Sequence, residues 1–177
     1  DLGNPVVSLT YSGSLATSGG WGLTSENGSV SLNVTAGTYT LTFGTTTGGE
    51  SVKNINFTGF SGTWAARTVD VTIYGNLTIS STMSIASTVT PKLIFGATSG
   101  TQTITSNGTT IASGIVMNGV GTTVLLADNL TFGNNLNFIN GTFDANNKTI
   151  ASSASGLPSV NGGSVVLKNY SWSAVSL

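Results

Sequence analysis

The sequence predicts an all-β chain wound as a right-handed parallel β-solenoid, and three observations carry that prediction. Apolar and polar residues alternate with period two in nearly every segment. Asn-Gly and Gly-Gly pairs recur between those segments, and charged side chains make up only 6% of the 177 residues. Alternation sends successive side chains to opposite faces of a strand, so that one face can be buried. The glycine and asparagine pairs supply the positive φ angles of tight corners. Scarce charge leaves sheet edges without the Lys and Glu that normally protect them, which favours edges covered by a neighbouring turn.

The strands follow in order. Ser31-Leu32-Asn33-Val34-Thr35 and Thr38-Tyr39-Thr40-Leu41-Thr42-Phe43 alternate cleanly, then Asn54-Ile55-Asn56-Phe57, Val69-Asp70-Val71-Thr72-Ile73 and Asn76-Leu77-Thr78-Ile79. Thr101-Gln102-Thr103-Ile104, Asn129-Leu130-Thr131-Phe132, Asn135-Leu136-Asn137-Phe138 and Lys148-Thr149-Ile150 continue the pattern. Corners are expected at Asn27-Gly28, Gly48-Gly49, Asn107-Gly108, Asn118-Gly119, Asn140-Gly141 and Asn161-Gly162. No window places apolar residues at i, i+3, i+4 and i+7, so no helix is expected. A β-sandwich or jelly roll would pair similar strands antiparallel through hairpins. Very short strands and frequent corners favour the solenoid, whose turns stack and whose Asn and Thr side chains can form ladders.

Residues 1–50, with longer alternating runs, are expected to form an N-terminal β segment or cap, and residues 51–177 the solenoid repeat region. The expected core includes Ile73, Leu77, Ile79, Ile104, Val124, Leu126, Leu130, Phe132 and Leu136. Ser84-Ile85-Ala86-Ser87, Thr110-Ile111-Ala112-Ser113 and Thr149-Ile150-Ala151-Ser152 resemble one another, with isoleucines 26 and 39 residues apart, which suggests a 13-residue step. Asn76-Leu77-Thr78-Ile79 likewise returns as Asn129-Leu130-Thr131-Phe132. The first residues, Asp1-Leu2-Gly3-Asn4-Pro5, and the last, Val175-Ser176-Leu177, read as cuts in a longer chain.

Composition narrows the function. A net charge of −1 provides no electrostatic footprint for nucleic acid. No apolar run approaches the roughly 20 residues that cross a bilayer, so membrane insertion is not expected. The chain has no Cys and no His, which removes the thiolate nucleophile, the commonest general base and the commonest metal ligands. The carboxylates are Asp1, Glu26, Glu50, Asp70, Asp128 and Asp144, and no two are close in sequence, so a glycosidase pair is not expected. Asp128-Asn129 and Asp144-Ala145-Asn146 could offer oxygens to calcium, but two carboxylates in separate turns are few for such a site. Turn-forming hydrogen bonds to their own backbone explain them better. Gly19-Gly20-Trp21-Gly22 and Gly48-Gly49-Glu50 open no helix, so neither is a phosphate loop. The reading is therefore non-enzymatic, without catalytic residues, cofactor or metal.

Tyr11, Tyr39, Tyr74, Tyr170, Trp21, Trp64 and Trp172 are the aromatics large enough to stack on a sugar. Tyr170 and Trp172 share one strand face in Asn169-Tyr170-Ser171-Trp172-Ser173 and are the candidate surface contacts, against the alternative that they cover the end of the stack. Trp64 reads as core. Sequons at Asn33, Asn56, Asn76, Asn107, Asn129 and Asn140 arise by default from alternating Asn/Thr strands and are read as incidental.

Several phrases are distinctive in combination: Val52-Lys53-Asn54-Ile55-Asn56-Phe57-Thr58-Gly59-Phe60-Ser61-Gly62-Thr63, Ile73-Tyr74-Gly75-Asn76-Leu77-Thr78-Ile79-Ser80, and the run from Phe95 to Gly108. With Met117-Asn118-Gly119-Val120-Gly121-Thr122 and Asn140-Gly141-Thr142-Phe143-Asp144-Ala145-Asn146, the chain resembles the long Thr/Gly/Asn-rich repeat proteins of aquatic tailed phages. That resemblance covers roughly residues 30–155 and departs at Ala112-Ser113-Gly114-Ile115, where the family phrase is more apolar. It implies a structural component of a virion (fibre, appendage or surface decoration), located at the virion surface. Expected partners are further copies of the chain, other virion proteins and host-surface glycans. It assigns no binding or catalytic residue. The alternatives are a secreted bacterial adhesin or extracellular filament, and a carbohydrate-binding module of an exported enzyme.

Overall fold

A computed structural model describes residues 31–43, 50–153 and 156–173. Every regular element among them is a β-strand. β1 (Leu32–Asn33), β2 (Thr40–Leu41) and β3 (Glu50–Val52) make the first described turn, and β4 (Ile55–Asn56), β5 (Thr63–Trp64) and β6 (Val71–Ile73) the second. β7 (Leu77–Thr78), β8 (Ser84–Ile85) and β9 (Thr88–Phe95) make the third, followed by β10 (Gly100–Thr105) and the long β11 (Ser113–Leu126). β12 (Leu130–Phe132), β13 (Leu136–Asp144), β14 (Thr149–Ser152), β15 (Pro158–Val160), β16 (Val165–Lys168) and β17 (Ser171–Trp172) complete the stack. All pairings are parallel and join a strand to its counterpart one turn away, which makes the chain a β-solenoid with three faces.

Registers fix the perimeter of a turn. On the third face Val52, Ile73, Phe95, Met117, Phe138 and Val160 form one column, each 21 or 22 residues after the last. On the first face Leu32, Ile55, Leu77, Ile104 and Leu126 form another. Turn length is held while the corners move. From the third to the first face the chain takes four residues between Ile73 and Leu77, but nine between Phe95 and Ile104. In compensation, the second and third faces are nine residues apart at Trp64 and Ile73, and six at Phe132 and Phe138. This redistribution lets β11 and β13 bend from the third face into the first as continuous strands.

The 13-residue step does not exist. Ile111 bridges to Phe132, which pairs with Ser152, whereas Ile150 pairs with Leu130 and Trp172. Ile111 and Ile150 therefore occupy different columns. Leu77 and Leu130, from the two similar Asn-Leu-Thr phrases, stand on different faces altogether. The same short alternating strand after an asparagine corner serves on any face, so such matches carry no information about stacking. The ladder also runs unbroken through residue 50, because β1, β2 and β3 already pair with β4, β5 and β6. Residues 1–30 and 44–49 of the expected N-terminal segment lie outside the described residues.

Inward side chains fill the stack. All nine expected core residues are buried, together with Phe43, Phe57, Phe60, Phe95, Phe138 and Phe143. Each removes apolar area from water worth about 1.5–3 kcal/mol. Trp64 is the largest, fully buried, with its ring 5.3 Å from Phe57 and 6.1 Å from Phe43. Its indole Nε1 donates to the Phe43 carbonyl at 3.2 Å, so the polar end of the ring is satisfied. At the other end the columns run out: Val160 and Trp172 continue them but are 58% and 37% exposed.

Corners are braced by side chains that reach the next turn. Asn54 Oδ1 accepts from Asn76 N at 2.8 Å, and Asn76 Oδ1 accepts from Thr103 N at 2.8 Å, one asparagine step above the other. Asn140 Nδ2 donates to Asn118 Oδ1 at 2.8 Å at another corner. Gly141 has φ +93°, and a Cβ there would stand 2.3 Å from the Gly119 carbonyl oxygen of the turn below. Gly59 (φ +83°) meets the Thr35 carbonyl oxygen in the same way, at 2.6 Å.

Two substitutions follow from this packing. Trp64→Ala empties the widest part of the core and is expected to cost about 3–5 kcal/mol. Gly141→Ala combines the cost of a left-handed non-glycine residue, about 1–2 kcal/mol, with a backbone collision between turns. Denaturant melts followed by far-ultraviolet circular dichroism measure both. A Gly141→Ala protein as stable as the parent would contradict the stacking described at this corner.

Candidate functional site

Tyr170 and Trp172 lie at the last rung. Trp172 in β17 pairs with Ile150, and the two rings meet with centroids 6.2 Å apart at 60°. They are 48% and 37% exposed, so part of each ring faces solvent while Trp172 also covers the Ile150 column. The functional and end-cover readings thus describe the same two side chains. Tyr39 and Trp64 are buried in the core, Tyr74 is half-buried, and Tyr11 and Trp21 lie outside the described residues.

The acidic residues do not gather. Among the described residues no three of His, Cys, Asp or Glu form a cluster that could hold a metal. Asp128 accepts from Ser106 N and Oγ at 2.9 and 3.0 Å and from Asn107 N, tying one turn to the next. Asp144 Oδ1 accepts from Asn146 N at 2.8 Å, closing its own turn, and from Asn169 Nδ2 at 3.0 Å. The Asn146 amide, then the Asn169 amide, and more weakly Lys168, hold the Asp144 carboxyl below the ordinary range. Asp70 Oδ1 accepts from Lys92 N at 2.7 Å. Glu50 is buried, and Asp1 and Glu26 lie outside the described residues. Asp128 and Asp144 act as corner residues, the role that their place beside Asn in turns suggests.

A polar seam through the core was not legible in the sequence. Arg67 is only 3% exposed, with its guanidinium 4.8 Å from the Trp64 ring centroid. Its Nη2 donates to Thr88 Oγ1 at 3.0 Å and to the Pro91 carbonyl at 3.3 Å, and Thr88 Oγ1 donates onward to Ser113 Oγ at 3.2 Å. Arg67 Nε and Nη1 are buried with no hydrogen-bond partner. Ser113 belongs to the phrase that departs from the phage pattern, and the hydroxyl it brings is what the seam uses. The one available signal was a basic residue in a chain with five, following Trp64-Ala65-Ala66 where the next strand should start. Gln102 is a second buried polar residue, fully employed: Oε1 accepts from Ala97 N at 3.1 Å, and Nε2 donates to the Ile73 and Gly75 carbonyls at 2.7 and 3.0 Å.

Burial lowers the Arg67 pKa to about 10, with Asp70 opposing the shift. The folded chain therefore releases this proton near pH 10, while the unfolded chain keeps it to far higher pH. Above pH 10 the unfolded state binds more protons, so stability contributed by this site rises with pH; below pH 10 the buried charge is a constant cost. Arg67→Met is expected to be as stable as the parent at pH 7, or more so by about 1–4 kcal/mol. That difference shrinks as pH is raised through 10. Paired urea melts at pH 7 and pH 10.5 measure it, and a methionine variant several kcal/mol less stable at pH 7 would show the cation to be stabilising.

No known protein family, curated protein or solved structure matches the chain.

Proposed function

We propose that this chain is a structural component of a phage virion, a rigid non-enzymatic β rod in a fibre, appendage or surface decoration that contacts the host surface. The observation that carries this reading is the uninterrupted stacking. Each turn is hydrogen-bonded to the next, as in Ile55 N to Asn76 O at 2.9 Å and Ile79 N to Thr105 O at 2.8 Å. The apolar columns beneath run the length of the described residues. A chain whose strength is spread over every turn suits a load-bearing, protease-exposed element, because no single turn can open without breaking two ladders. The likeness of its Thr/Gly/Asn phrases to phage repeat proteins supplies the virion context. Scarce charge allows identical copies to pack side by side without repulsion, which fits homo-oligomeric or virion-protein partners.

The exposed Tyr170–Trp172 pair is the surface contact this reading favours. Electron cryo-microscopy of intact particles, with antibody against the chain to locate it, tests the proposal. Density for the solenoid on a capsid or tail is the expected result. Filaments carrying the chain on a cell surface with no particle attached would instead identify an extracellular adhesin. The pair itself is expected to tolerate Tyr170→Ala with Trp172→Ala at less than half the stability loss of Trp64→Ala, since both rings are already partly in water.

A further inference from the structure

We propose that the outer surface of the first face, across β1, β4 and β7, is a binding groove for a neutral glycan rich in hydroxyl and acetamido oxygens. This inference rests on the host-contact reading and places a contact on the flank of the rod, away from the aromatic pair at its end. The groove holds about 400 Å³ and is lined chiefly by Asn33, Asn54, Asn56, Thr58, Asn76 and Thr78. That volume falls within the range of small-ligand sites, about 300–1,000 Å³. No charged side chain lines it, so neither an anionic nor a cationic ligand is favoured.

Hydrogen bonds within the protein decide which groups the groove presents. A backbone N–H can only donate, so each asparagine atom that receives one is the carbonyl oxygen, and the amide orientation is settled. Asn76 Oδ1 accepts from Thr103 N at 2.8 Å, and Asn56 Oδ1 accepts from Thr58 N at 3.0 Å and Thr58 Oγ1 at 2.7 Å. Their carbonyl oxygens are thus consumed, while the Nδ2 groups make no hydrogen bond among the described residues. Asn54 is held at both ends, Nδ2 donating to Ser31 Oγ at 2.9 Å and Oδ1 accepting from Asn76 N at 2.8 Å. The Asn56 and Asn76 amide N–H groups and the Thr78 hydroxyl therefore remain available, the amides fixed in direction by the ladder. Asn56 and Thr78 are register partners on adjacent strands, about 4.8 Å apart. An array of preoriented neutral donors suits a ligand that offers neutral acceptors in a row, as sugar hydroxyl and N-acetyl oxygens do. The preorganisation spares the entropy of ordering these side chains on binding.

The test is a glycan microarray carrying neutral and acidic oligosaccharides, probed with the 177-residue chain and two variants. Asn56→Asp with Asn76→Asp keeps the acceptors that Thr58 N and Thr103 N need and removes the outward N–H donors. Its melting temperature is expected to match the parent. Retention of neutral glycans by the parent, falling at least about tenfold in this variant and unchanged in Tyr170→Ala with Trp172→Ala, is the expected outcome. Absence of neutral-glycan retention overturns the inference, as does binding that survives the asparagine changes or is lost with the aromatic pair. Particle imaging separates the two proposals: a chain seen on virions but blind to neutral glycans leaves the virion role standing and removes the groove.

Discussion

Closure of each turn after 21 or 22 residues is the condition on which the rest of this structure depends. A parallel ladder needs every strand to return beside its predecessor, in register, before the next can pair. Once that return is made, an inward residue lies over an inward residue, and core columns such as Val52–Ile73–Phe95 form without further instruction. The perimeter is conserved even though its parts are not. The corner from the third to the first face lengthens as the path from the second to the third shortens, so the backbone hydrogen bonds survive a change in the shape of the turn. Corners can then differ in length and composition without disturbing the stack, which is where surface variation is cheapest.

The buried polar groups show two ways of living inside such a stack. Gln102 stands where the alternation calls for an inward residue, and its amide meets three backbone groups near the neighbouring corner. Burial of that amide is offset by hydrogen bonds and stiffens the bend. Arg67 is a different case, because two of its nitrogens are buried without partners. Its packing over Trp64 and its bond to Thr88 return part of the desolvation cost, not all of it. Specificity is the physical argument for keeping it: a cation that finds hydroxyls only at Thr88 and then Ser113 penalises any slip of these turns against one another.

The surface is built from neutral amides and hydroxyls, and this choice links stability to recognition. Asparagine carbonyl oxygens are drawn into the ladders by backbone N–H groups, which leaves amide N–H groups facing outward. The bonds that hold neighbouring turns together thereby orient the donors that the solvent, or a ligand, meets. Exposed aromatic area is confined to Tyr170 and Trp172 on the last rung, where the inward columns reach the surface.

What the sequence determined by itself was the period and the punctuation. Two-residue alternation named the buried residues correctly, from Ile73 to Leu136, because side-chain direction in a strand depends only on local geometry. Asparagine and glycine marked corners such as Asn107, Asn140-Gly141 and Asn161-Gly162, because positive φ is also a local demand. Asp128 and Asp144 read as corner residues for the same reason. Only the tertiary structure decided which turn lies on which. Ile111 and Ile150 look alike and stand in different columns, since local strand chemistry is the same on all three faces and register is set by the summed length of corners between them. The Arg67 seam and the outward amides of Asn56 and Asn76 were hidden for that reason too: their partners lie 20 to 27 residues away or across a corner, at separations that no local pattern encodes.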